Sequence, residues 1–124
     1  MSPAVGPYSP VRRIDDWVVT SGQVGVATAD DGRVALVEGG TIPELHQALR
    51  NLAEVLAGEG ATFPDVVKTM LFLTDMGDFA AVNEVWVEYF VDPERRPARS
   101  AVAVAALPLG ARVEVEAWAY APVV

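Results

Sequence analysis

Residues 66–74, Val-Val-Lys-Thr-Met-Leu-Phe-Leu-Thr, are apolar on both alternating faces. Successive side chains of an extended chain point to opposite sides. A run of this kind therefore reads as a central strand covered on each side. That demand shapes the rest of the chain, which must supply layers to pack against the strand. Upstream, Thr41 is a helix N-cap candidate with Pro43 and Glu44 in the first turn. Ile42, Leu45, Leu49, Leu52 and Leu56 then recur at spacings of three and four, giving one apolar stripe on an amphipathic helix that Gly58 and Gly60 end. Downstream, Asp78 caps a second helix with Phe79, Val82, Val85, Trp86 and Phe90 on its inner side.

The ends of the chain read as strands. Tyr8-Ser9-Pro10 is an extended arm, because a residue before proline avoids the helical region. Asp15-Asp16 is a turn, followed by a β-branched strand from Trp17 to Ser21. A second turn at 29–32 leads to a strand over Arg33–Val37. Ser100–Leu107 and Ala111–Ala121 are two more strands, joined by a Pro108-Leu109-Gly110 turn. In the last strand Val113, Val115, Ala117 and Ala119 point one way, and Arg112, Glu114, Glu116 and Trp118 the other. The expected architecture is α+β: one domain over residues 1–124, a mixed β-sheet with two helices on one face.

A lone domain of 124 residues buries only about two thirds of its unfolded surface. Yet 52% of the residues are hydrophobic and the mean hydropathy is +0.27. No apolar run reaches the roughly 18–20 residues of a membrane-spanning helix, so the excess points to burial between subunits. Residues 1–7 show neither a basic segment nor an apolar one, and no secretory leader is expected. The chain has no cysteine, which excludes disulfides, thiol nucleophiles and cysteine metal sites; a cytoplasmic location fits. The net charge of −8, without a Lys/Arg stripe, disfavours nucleic acid as a partner.

Against that acidic background Arg99 is the most informative residue. At the entry to an apolar strand it either pairs with a structural carboxylate or anchors an anionic ligand, whose carboxylate its fork can grip with two parallel hydrogen bonds. Glu114 and Glu116 share a strand face about 7 Å apart. They are either an acid/base pair or a solvated face. His46, the only histidine, has no second ligand beside it and reads as structural, so no metal is expected. Ser21-Gly22-Gln23 either offers backbone groups to a pocket or simply turns the chain, and Tyr8 on the arm either packs or lines a site. No phosphate-binding loop, dinucleotide fingerprint or nucleophile elbow is present.

Four segments resemble the RidA/YjgF family, in order and over nearly the whole chain. They are Gly6-Pro7-Tyr8-Ser9-Pro10, Ser21-Gly22-Gln23, the stretch from Val66 through Thr74-Asp75-Met76 to Asp78-Phe79-Ala80-Ala81-Val82-Asn83, and Pro97-Ala98-Arg99-Ser100 with Val104, Leu107-Pro108 and Val113–Ala117. The resemblance implies a chorismate-mutase-like fold assembling as a homotrimer, with sheets lining a central barrel and pockets between neighbouring subunits. It implies hydrolysis of 2-imino acids and their enamine tautomers, such as 2-iminopropanoate and 2-iminobutanoate, to 2-keto acids and ammonia, with no cofactor or metal. Carried over by position, Arg99 would bind the substrate carboxylate. The backbone of Gly22 and Ala101 would hold the imino nitrogen and the attacking water. Glu114 would orient that water, and Tyr8, Ser21 and Asn83 would shape the walls. Ala101 stands where many members have cysteine, and Glu44 and His46 where glutamine and arginine are common. Two alternatives stay open: a related deaminase acting on a larger enamine acid, or a non-enzymatic ligand-binding or chaperone-like trimer.

Overall fold

A computed structural model describes residues 6–123. Residues 1–5, most of the segment expected to carry no leader, lie outside them. The strands are β1 (Val11–Ile14), β2 (Trp17–Thr20), β3 (Gln23–Val24), β4 (Val26–Thr28), β5 (Val34–Leu36), β6 (Val66–Leu73), β7 (Ala98–Ala103) and β8 (Val113–Tyr120). The helices are α1 (Thr41–Ala57) and α2 (Phe79–Tyr89). The main sheet runs β1-β2-β8-β6-β7, with β3 also paired to β8, while β4 and β5 form a separate hairpin. β6 and β7 are parallel, as a crossover through α2 permits, and the other pairs are antiparallel. This is the expected mixed sheet. β1, β3 and β4 have no counterpart in the sequence reading.

The two apolar helix stripes pack on one side of the sheet. Leu45, Leu49, Leu52 and Leu56 of α1 are fully buried against Leu71, Leu73, Val113 and Val115, and α2 adds Val82, Val85 and Trp86. Each such side chain contributes about 1.5–3 kcal/mol relative to exposure. The helix ends differ from expectation. Gly40, at φ 95°, is the N-cap of α1, and Thr41 is its first helical residue. The Thr41 hydroxyl donates to Asp78 Oδ2 at 2.7 Å, so Asp78 stands at the N-cap of α2 without capping it. The two residues tie one helix start to the other. Gly60, at φ 75°, reverses the chain after α1.

Three expectations about the strands are corrected. β6 is covered on one side only: Thr69, Leu71 and Leu73 are buried, whereas Lys68, Met70 and Phe72 are half-open, because both helices sit on the same face. β7 stops at Ala103 rather than Leu107, since its last partner is Leu73, where β6 ends. Arg112 does not join the row of Glu114, Glu116 and Trp118; it precedes β8 and its guanidinium binds Glu44 of α1. The other face of β8 follows the expected alternation, with Val113, Val115, Ala117 and Ala119 all buried. Opposite the helices, Trp17, Trp118 and Tyr120 each keep nearly half their surface open. No described helix is long and apolar enough to cross a membrane.

Candidate functional site

Arg99 sits on β7, opposite Thr69 of β6, which is itself opposite Ala117 of β8. Side chains in cross-strand register share a face, so Arg99 lies on the helix side, beside α2. Its Nη2 donates to Asn83 Oδ1 at 2.8 Å. Its guanidinium carbon stands 4.9 Å from the Trp86 ring centre and 5.3 Å from that of Phe79. Burial lowers its pKa, but a guanidinium remains charged in a protein. Among the described residues no carboxylate pairs with it. Of the two roles the sequence left open, the structural ion pair is therefore not the one seen. The aromatic rings and Asn83 fix the plane of the fork. Phe79, Asn83 and Trp86 fall on one α2 stripe by their spacing. That spacing was the available signal for Phe79 and Trp86, which the sequence assigned to core alone.

Glu114 is in register with Phe72 of β6 and Val24 of β3, which puts it on the opposite, open face. It packs onto Gly22. A Cβ at that glycine would lie 1.8 Å from Glu114 Oε1, so no other residue fits beside the carboxylate as it stands. Burial raises the pKa of Glu114, and the charge of Glu116, two residues on along the same face, raises it further. Ser21 holds the arm to this region: its N–H donates to Pro10 O at 2.9 Å and its hydroxyl to Ser9 O at 2.6 Å. Tyr8, next along the arm, has its ring half exposed, against Gly6.

The sequence-derived residues therefore form two clusters, not one. Arg99, Asn83 and Ala101 lie on the helix side, Ala101 being in register with buried Leu71. Gly22 and Glu114 meet on the open side, and Ser21 ties the arm beside them. A small acid held by Arg99 cannot at the same time meet Glu114 of the same chain, because the sheet lies between them. His46 Nδ1 is 2.7 Å from the Tyr89 hydroxyl, a half-buried contact joining the two helices. The described residues contain no group of three or more His, Asp or Glu that could hold a metal ion. Glu44, which the sequence left without a role, is fully buried.

A family model described as endoribonuclease L-PSP matches residues 1–121. The chain is 48% identical over 116 residues to 2-iminobutanoate/2-iminopropanoate deaminase of Mus musculus, covering 94% of this chain and 82% of that protein. The solved structure of RidA from an Antarctic Psychrobacter superposes with a TM-score of 0.85 at 40% identity, covering 95% of this chain and 91% of that one. E. coli TdcF with bound serine gives a TM-score of 0.83 at 32% identity, covering 94% and 90%.

Proposed function

The chain belongs to the endoribonuclease L-PSP family, that of RidA and YjgF, and from this premise we propose that it is a 2-iminobutanoate/2-iminopropanoate deaminase. It is a hydrolase: water adds to the imine carbon of a small 2-imino acid, and the carbinolamine collapses to a 2-keto acid and ammonia. The proposal covers one RidA-like domain over residues 1–124 and a cytoplasmic location. Nothing in the step calls for a cofactor. An imine is already electrophilic, so the protein has to fix the carboxylate and aim a water.

The observation that carries the reading is the pair of half-sites on opposite faces of one sheet. Arg99 offers a charged fork, held by Asn83 and two rings and, among the described residues, without a carboxylate of its own. Glu114 offers a carboxyl with a raised pKa. A carboxyl so placed can accept a proton from water and return it to departing ammonia. We take the working site to be shared between subunits of a homotrimer. One subunit gives Arg99, Asn83 and the Ala101 backbone, and its neighbour gives Tyr8, Ser21, the Gly22 backbone and Glu114. Two features support this. Among the described residues β7 is one of the two edges of the main sheet, β1 being the other. The open face carries Trp17, Trp118 and Tyr120, an apolar surface suited to the inside of a barrel of sheets. The family is described as endoribonuclease; with a net charge of −8, we propose the imino acid, and not RNA, as the substrate. No membrane partner is part of the proposal.

The test couples an amino-acid oxidase acting on alanine to semicarbazide, which traps free 2-iminopropanoate. The parent protein should suppress semicarbazone formation and Arg99→Ala should not. Equal suppression by both would remove Arg99 from the mechanism. No suppression by a trimeric parent would redirect the search to a larger enamine acid.

A further inference from the structure

Among the described residues Glu44 is the only buried acid. A carboxylate taken fully out of water is costly unless its oxygens are met, and both are met by one residue. Oε1 accepts from the Arg112 backbone N–H at 2.8 Å, and Oε2 from Arg112 Nη1 at 2.8 Å. Arg112 stands two residues before Glu114, so this grip fixes the start of the strand that carries it. Main-chain atoms of Glu44 meet the other half of the cluster. A Cβ on Gly25 would lie 2.5 Å from the Glu44 carbonyl oxygen and 2.6 Å from its Cα, so the segment after Gly22 lies directly on α1 at this residue. Two helical turns further on, Asn51 Nδ2 donates to Val24 O at 3.1 Å and Val26 O at 2.9 Å, holding the same segment down.

We infer that Glu44 is a positioning residue for the proposed deamination: it binds the base of β8 with its carboxylate and seats the Gly22 segment with its backbone, and so sets where Glu114 stands relative to Gly22. The inference rests on the deaminase reading above. Its physical basis is that Gly22 and Glu114 have no slack. The carboxylate occupies the space a Cβ would need, so a small shift of either strand re-aims Glu114. The Arg99 half-site is held from α2 by Asn83, Phe79 and Trp86 and shares none of these contacts.

The experiment compares the parent with Glu44→Met, which fills the space but accepts no hydrogen bond, and Glu44→Gln, which keeps an acceptor for the Arg112 N–H. Kinetics on 2-iminopropanoate and amide hydrogen exchange are read together. In Glu44→Met, kcat should fall roughly 10- to 100-fold, the scale of a misplaced catalytic group, with KM little changed. Glu44→Gln should recover most of that loss. Exchange should quicken at residues 22–26 and 112–114 and stay at the parent's rate at 79–86 and 98–103. An unchanged kcat in folded Glu44→Met overturns the inference, as does a joint loss of kcat, KM and protection everywhere. If Glu44→Met does not assemble, Arg112→Met keeps the backbone bond and should show the same split in smaller measure; an intact kcat there counts against the role. A parent that hydrolyses no imine refutes the deaminase reading, and hydrogen exchange alone then decides whether Glu44 couples the two segments.

Discussion

The two half-sites are built by different means. Around Arg99 the work is done by side chains: an amide acceptor and two aromatic rings surround a charge at the edge of the sheet. Around Glu114 it is the backbone that is gripped: a glycine leaves room for the carboxylate, and the Asn51 and Glu44 side chains of α1 hold the main chain of the flanking segments. A side-chain cradle suits an ion that must meet a planar, bidentate partner. A backbone cradle suits a carboxyl whose task depends on direction and on a raised pKa. Arg99 should therefore govern binding, and Glu114 the chemical step.

The largest effect expected is on Arg99. Truncation to alanine should lower kcat/KM about 30-fold to several-thousand-fold, the usual cost of removing one partner of a desolvated charge pair. Steady-state kinetics on 2-iminopropanoate measure it, and the loss should appear in KM as well as kcat. Gly22→Ala should follow. The intruding Cβ meets the Glu114 side chain from Oε1 at 1.8 Å back to Cγ at 2.9 Å and no backbone atom among its nearest neighbours, so the fold should survive while the whole side chain swings away. A kcat loss of roughly 100-fold with KM nearly constant is the expected pattern, with circular dichroism as the check on folding. Equal losses in KM and kcat would erase the division between the halves.

The shared site itself can be broken open by mixing. Arg99→Ala and Glu114→Gln should each lose most of their activity alone. Subunits exchanged at random into trimers would pair an intact Arg99 with a neighbour's intact Glu114 at about a quarter of the interfaces (a half times a half). Activity regained on mixing sharpens the comparison, and none regained from confirmed mixed trimers would place both groups elsewhere. Phe79→Leu removes one ring from Arg99 and should raise KM about 2- to 5-fold, the range of one partly exposed cation–π contact. The smallest effect is a pH shift. Burial is the first cause of the raised pKa of Glu114, and Glu116 the second. Glu116→Gln removes a like charge, so the pKa falls, and the acidic limb of kcat against pH should move to lower pH. A limb that moves upward, or not at all, would mean that Glu114 is not the titrating base.

Much of this was legible in one dimension. The leucine stripe of α1, the inner side of α2 and the alternation along β8 each follow from the spacing of apolar residues within one element, and each is found buried apart from Ile42 and Phe79, which are half-buried at the helix starts. Arg99 stood out as a candidate as well, because a cation in an apolar strand of an acidic chain calls for an anion, though the sequence left open whether that anion is a structural carboxylate or a ligand. The helix caps were not. Thr41 and Asp78 have the right side chains, but they bond to one another across a 37-residue separation. β3 and β4, at two and three residues, are too short for any period to show.

The sequence by itself determined the element types and their apolar faces, since these depend on covalent spacing and the fixed geometry of helix and strand. Only the tertiary structure decided that Arg99 and Glu114 stand on opposite sides of one sheet. That relation is fixed by the register of β7 and β8 on β6, and register is set by hydrogen bonds between distant segments; a slip of one residue would exchange the faces. The same holds for Glu44. Its place beside the leucine stripe was written locally, but whether its carboxylate would be buried depended on Arg112, 68 residues later, arriving with two donors.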